Sequence, residues 1–114
     1  MRSEQQFTQP PGPEPKPQTV TIELIAKHKA FNLKTMTVPA GANVVINFHN
    51  EDALIPHNFA LYTDSSAQTE IYKGKVALVK KHLVYKFNAP SQPGTYFFRC
   101  DIHPTMMFGD FIVQ

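Results

Sequence analysis

The sequence predicts an all-β fold, a Greek-key β-sandwich of about seven to eight strands. Three observations point there. Short segments alternate apolar and polar residues at period two, turn residues separate them, and no window carries a capped apolar i, i+3, i+4, i+7 stripe. Nine Phe and four Tyr, with no Trp, supply the bulk of a core. At 114 residues the chain has room for one domain.

Residues 19–26 form the first expected strand, with Val20, Ile22 and Leu24 on one face. Met36 and Val38 lead into a turn at Pro39-Ala40-Gly41. Residues 44–50 are rich in β-branched and aromatic side chains and read as the next strand, followed by another over 58–62. Residues 68–78 fit either a bent edge strand or an irregular loop. Strands at 83–87, 95–100 and 110–113 complete the set, with a turn at 91–94.

Residues 1–17 are of a different texture. Five of the ten prolines fall between Pro10 and Pro17, and Phe7 is the only large apolar residue after Met1. Such a stretch cannot offset its ordering entropy, so it is expected to be a disordered, partly polyproline-like tether ahead of a domain spanning 18–114. The formal net charge of +2 is too small to call for nucleic acid or an anionic membrane as partner. No run approaches the ~20 apolar residues of a membrane helix, so the domain is not expected to span one. The first residues also lack a secretion signal.

A single cysteine excludes an internal disulfide, an all-cysteine zinc site and a two-cysteine dinuclear copper centre. It stands in the segment with the most chemical content, Cys100-Asp101-Ile102-His103-Pro104-Thr105-Met106-Met107. Thiolate, imidazole and thioether lie there within eight residues, between two expected strands. Soft sulfur with imidazole suits copper, and two His, one Cys and a weak axial Met make the ligand set of electron-transfer copper sites. The second histidine must come from elsewhere, and His57, at the start of an expected strand, is the candidate. Taken singly, a cysteine at a strand end reads as a small buried hydrophobe, and a lone His as a satisfied polar residue; their joint occurrence favours a metal. His28, His49 and His82 lack this context and read as surface or strand residues.

Over roughly residues 19–114 the chain resembles the cupredoxins, the small blue copper proteins that include plastocyanin, amicyanin, azurin and pseudoazurin. The resemblance is carried by the strand order, by Pro56-His57-Asn58 and by the Cys-His-Met loop. It implies a type 1 copper ion held by His57, Cys100, His103 and a methionine. Amicyanin-like spacing selects Met106. The glycine that in the family usually stands two residues after the ligand Met corresponds to Gly109, which selects Met107, the expected axial ligand. The resemblance further implies an apolar surface around His103, from Pro56, Pro104, Thr105, Met106 and Phe108. It also implies that the Asn58 side chain ties the two ligand loops together while its amide faces the Cys100 sulfur. Ile102 stands where plastocyanin has proline, so its amide is expected to make a second bond to that sulfur.

The function expected is therefore one-electron transfer, not enzymatic catalysis, with redox proteins as donor and acceptor and the chain as a monomer. The alternative is a copper delivery or storage module, for which only the Met106-Met107 pair speaks. A copper enzyme would need further His clusters such as His-x-His pairs, which the sequence lacks. Lys73, Lys75, Lys80, Lys81 and Lys86 crowd one stretch and could either steer an acidic partner or guard a strand edge. A tethered copper carrier belongs outside the cytoplasm, so a natural targeting segment or anchor is expected to be missing ahead of Met1.

Overall fold

The computed structural model describes residues 18–114. The expected tether, residues 1–17, lies outside the described residues. Nine strands follow one another: β1 (Thr19–Lys27), β2 (Ala30–Phe31), β3 (Thr35–Val38), β4 (Asn43–Asn50), β5 (Ala60–Tyr62), β6 (Glu70–Lys73), β7 (Lys81–Asn88), β8 (Gly94–Arg99) and β9 (Phe108–Val113). Among the described residues there is no helix. The strands form a four-stranded sheet, β2-β1-β4-β7, and a five-stranded sheet, β3-β9-β8-β5-β6. The expected sandwich is thus present, with nine strands instead of seven to eight. The extra strand is β2, too short at two residues to show a period of its own.

Alternation explains the first sheet. β1 runs parallel to β4 with Val20 opposite Val44, Ile22 opposite Ile46 and Leu24 opposite Phe48. β7 continues these rows antiparallel, placing Phe87, Tyr85 and Leu83 beside the same three β4 residues. Because side chains alternate along each strand, these rows share the inner face. The outer face carries Glu23, Asn47 and His49, with His49 stacked on His82 of β7 at 4.3 Å between ring centroids.

Between β1 and β4 the chain crosses to the other sheet, where β3 lies parallel to β9 and sets Met36 beside Phe111 and Val38 beside Val113. The return uses the expected turn at Gly41, whose φ of 71° favours glycine; the Ala42 amide donates to the Pro39 carbonyl at 3.2 Å. Phe59 sits between the sheets, against Phe87 at 5.8 Å and Phe98 at 5.7 Å. The ambiguous stretch 68–78 resolves into the edge strand β6, entered through a register shift against β5, followed by Ala77, which bridges to His57.

The lysine stretch divides between two sheets. Lys73 ends β6, while Lys81 and Lys86 lie on β7, and each of these strands is the edge of its own sheet. Charged residues on edge strands discourage pairing with other chains. Lys73 and Lys80 also have acidic neighbours within the chain, Asp101 and Glu51, each at 4.0 Å.

Candidate metal centre

Antiparallel pairing of β8 with β9 runs from Gly94 opposite Val113 to Arg99 opposite Phe108. The next residue on each side opens the Cys-His-Met loop. Its base is closed by the Cys100 amide donating to the Met107 carbonyl at 2.9 Å. Inside it, the Met106 and Met107 amides donate to the His103 carbonyl at 3.1 and 3.0 Å, and the His103 amide to the Cys100 carbonyl at 3.2 Å. The loop is therefore a tight turn tied to a rigid hairpin.

His57 arrives from the opposite side. A two-way backbone pairing with Ala77, at 3.1 and 2.9 Å, fixes its main chain. Asn50, buried at the end of β4, holds the approach by donating from its side chain to the Ile55 carbonyl at 2.9 Å and the Ala77 carbonyl at 3.0 Å. Its Oδ1 accepts the Asp52 amide at 2.9 Å.

Three ligand atoms converge here. Cys100 Sγ lies 3.9 Å from His57 Nδ1 and 3.7 Å from His103 Nδ1, and all three atoms fall within 4.8 Å of one another. A triangle of these sides has a common point about 2.2–2.5 Å from its corners, close to the ~2.0–2.3 Å of metal bonds to imidazole nitrogen and thiolate. His57 and Cys100 are fully buried, and His103 is partly exposed. Burial above all pushes the His103 imidazole below its ordinary pKa. Of the two methionines, Met107 is buried in the core cluster that contains Cys100, whereas Met106 is 58% exposed. Of the residues expected at the surface, Pro104, Thr105, Met106 and Phe108 are exposed and Pro56 is half-buried, and Ile102 joins them. Leu54, Leu78 and Val79, also exposed, stand within three residues of His57 or its bridge partner Ala77 and had no signal in the sequence.

The Asn58 side chain joins the two halves as expected. Its Oδ1 accepts the Asp101 amide at 2.8 Å, and its Nδ2 donates to the Gly74 carbonyl at 3.0 Å. The expectation for the sulfur is different. Its hydrogen-bond contacts are the two imidazole nitrogens, and neither the Asn58 nor the Ile102 amide is among them. The neighbouring Asp101 amide donates to Asn58 Oδ1, and the His103 amide to the Cys100 carbonyl.

Two acidic residues in the site were not singled out from sequence. Asp101 accepts the Tyr62 hydroxyl at 2.6 Å and Arg99 Nε at 3.0 Å, with the guanidinium stacked over the Tyr62 ring at 4.8 Å. Asp52, buried, meets His57 Nε2 at 2.7 Å and accepts the His28 and Lys29 amides at 2.9 and 3.3 Å. The His57 hydrogen bond, aided by these amides and opposed by burial, holds its carboxyl at about 2 against an ordinary 3.8. The only available signal was chemical: a ligating His usually has a partner on its second nitrogen. His28, His49 and His82 lie outside the convergent group.

Comparison with known proteins agrees with this geometry. No curated protein matches the chain by sequence. Among solved structures, auracyanin A, a "blue" copper protein from the green thermophilic photosynthetic bacterium Chloroflexus aurantiacus, superposes with a TM-score of 0.75 at 27% identity, over 84% of this chain and 99% of its own. Auracyanin from Roseiflexus castenholzii gives 0.75 at 23% identity, covering 85% and 98% of the two chains. Rusticyanin from Thiobacillus ferrooxidans gives 0.70 at 22%, covering 87% and 79%; these last two likenesses speak for the fold. The family model of the cupredoxin-like domain matches residues 6–113, starting inside the expected tether. With nearly the whole length matched, the chain belongs to the cupredoxin-like domain family.

Proposed function

We propose that the protein is a one-electron carrier whose redox centre is a single type 1 copper ion held by His57, Cys100, His103 and Met107. The observation that carries this reading is the convergence of one sulfur and two imidazole nitrogens, two of the three side chains fully buried, at separations that suit one metal ion. The donor set fits copper because thiolate and thioether are soft ligands and imidazole is borderline. The likeness to auracyanin A, described as a blue copper protein, supports the same assignment.

Copper supplies the one-electron Cu(II)/Cu(I) couple. What the chain contributes is rigidity and access. His57 is held by its bridge to Ala77 and by Asp52, and Cys100 by the loop base, so the donors have little room to move between redox states. Cys100 gives up its thiol proton on binding the metal. The burial of Met107 keeps its side of the loop dry. His103 is the ligand nearest solvent, and exposed Ile102 and Met106 of the same loop, with Phe108 at the start of β9, offer an apolar point of contact. Small apolar contacts of this kind suit brief encounters, so redox proteins are the donor and acceptor in this reading, and the chain acts as a monomer.

A location outside the cytoplasm, on a proline-rich spacer, belongs to the same proposal and is supported by the five prolines of residues 10–17. Among the described residues no helix is long and apolar enough to cross a membrane.

Adding Cu(II) to the metal-free protein tests the reading. An intense blue thiolate-to-copper absorption with narrow hyperfine splitting in paramagnetic resonance is expected, lost in Cys100→Ser and reversibly bleached by one electron. A colourless complex in the unaltered protein would overturn it.

A further inference from the structure

We propose that Asp52 is a positioning residue of the metal centre, whose carboxylate fixes the ring of His57 and biases the site toward the more highly charged metal. The inference rests on the copper reading above, and its first step concerns the metal-free chain alone.

His57 is fully buried, and its two ring nitrogens have different surroundings. Nε2 faces a carboxylate oxygen at 2.7 Å, and Nδ1 faces Cys100 Sγ at 3.9 Å. A carboxylate can only accept, so the contact favours a proton on Nε2, and in the neutral ring that leaves the Nδ1 lone pair for a metal. Without this partner a buried imidazole could place its proton on either nitrogen, and one of the two tautomers would present an N–H to the site.

The carboxylate is itself held from the other side. His28 and Lys29 form the two-residue turn between β1 and β2, and both have a φ of 55°. A two-residue hairpin that needs positive φ at both positions ordinarily uses Asn-Gly or Gly-Gly, because side chains are strained there. The His28 and Lys29 amides donate to the two oxygens of Asp52. A turn adverse for its residues is thus combined with two donors aimed at one buried carboxylate. Strain of this kind persists where the surroundings over-determine it. A cap for the hairpin alone would not require the carboxylate to reach His57, 5 residues further along the chain.

A buried negative charge one hydrogen bond from a ligand stabilises Cu(II) more than Cu(I), because its attraction scales with the charge of the ion. Loss of such a partner typically costs about 10–100-fold in metal affinity. Asp52→Asn keeps an acceptor for Nε2–H but removes the charge; Asp52→Ala removes both.

The test has three parts. In the unaltered metal-free protein, nitrogen-15 spectra are expected to show the neutral His57 ring with its proton on Nε2; a neutral ring protonated on Nδ1 overturns the proposal, and this measurement needs no variant to fold. Copper competition titrations with Asp52→Asn are then expected to show at least a tenfold loss of Cu(II) affinity beyond any loss for Cu(I). Each tenfold difference raises the midpoint potential by about 59 mV for one electron. Equal losses for both ions, or an unchanged potential, overturn the charge bias. Asp52→Ala is expected to mix the two His57 tautomers, and a ring unchanged in that variant overturns the positioning role. Failure of the copper reading shows differently, as a missing blue absorption in the unaltered protein.

Discussion

Met106 and Met107 are consecutive residues that end on opposite sides of the protein surface. Met106 is 58% exposed and Met107 is 1% exposed. Both amides donate to the same carbonyl, that of His103, and the Met107 carbonyl receives the Cys100 amide. The turn thereby directs one thioether to solvent and the other to the core that holds Cys100. Met107→Leu is expected to keep the fold, keep the blue colour and raise the potential, since a weak sulfur donor has been removed from the copper. Met106→Leu should leave spectrum and potential alone. Voltammetry with the reverse pattern would make Met106 the ligand.

Gly109 controls how that loop rejoins β9. A Cβ at this position would run into the Lys34 carbonyl and would come within 2.6 Å of the buried Phe98 ring. Neither neighbour can yield cheaply, one being backbone and the other at 0% exposure. Overpacking of this sort costs about 1–3 kcal/mol. Gly109→Ala is expected to lower the denaturation free energy of the metal-free protein by that amount. Gly41→Ala should act differently: a Cβ there has open space, and the cost comes from its φ of 71° alone. Equal stability of Gly109→Ala and the unaltered chain would refute the contact.

The side chain of buried Asn58 bonds to two other segments, at Asp101 and at Gly74. It accepts from the Asp101 amide, donates to the Gly74 carbonyl, and its Nδ2 lies 3.4 Å from Asp101 Oδ2. Asn58→Ala strands the amide and the carbonyl without partners, at about 1–3 kcal/mol for each buried group. The expected result is a marked fall in stability together with a broadened copper signal in paramagnetic resonance, since the ligand loop loses its tie to the His57 side. Asn58→Asp, which keeps the acceptor for the Asp101 amide but sets two carboxylates together, should be no better. A variant Asn58→Ala with unaltered melting and spectrum would remove Asn58 from this role.

These sites differ in how far the sequence discloses them. The Cys-His-Met loop was legible because its donors are local, and soft ligands so close together have few other uses. The faces of β1 and β4 were legible because alternation fixes which side chains meet the core. The partnership of Asp52 with His28 and Lys29 was not, since residues 23 and 24 positions apart meet only through the parallel pairing of β1 with β4, which sets Ala26 beside Asn50. The lysine stretch shows the opposite limit. Nearness in sequence does not by itself set a shared face, and here β6 and β7 are edge strands of different sheets. Amide bonds to the Cys100 sulfur depend on angles within one turn, which residue types leave open.

Tyr85 offers a test of the core that is independent of the metal. Its ring is buried between Phe48, at 5.3 Å, and Phe59, at 6.3 Å, and its hydroxyl donates to the Lys75 carbonyl at 2.6 Å. Burial above all, with the neighbouring Tyr72, pushes its pKa well above the ordinary 10. A group whose folded pKa is raised contributes stability that is complete below its unfolded value and is lost as pH rises toward the folded one. The unfolded chain ionises near pH 10 and the folded chain does not, so each further pH unit removes up to about 1.4 kcal/mol through this residue. Denaturation curves of the metal-free protein are expected to move to lower denaturant from pH 10 upward, with tyrosinate absorption rising at the unfolding transition. In Tyr85→Phe the hydroxyl's bond is lost, at about 1 kcal/mol at neutral pH. The alkaline slope of that variant should be correspondingly shallower, and equal slopes in the two proteins would show that Tyr85 ionises freely in the folded state.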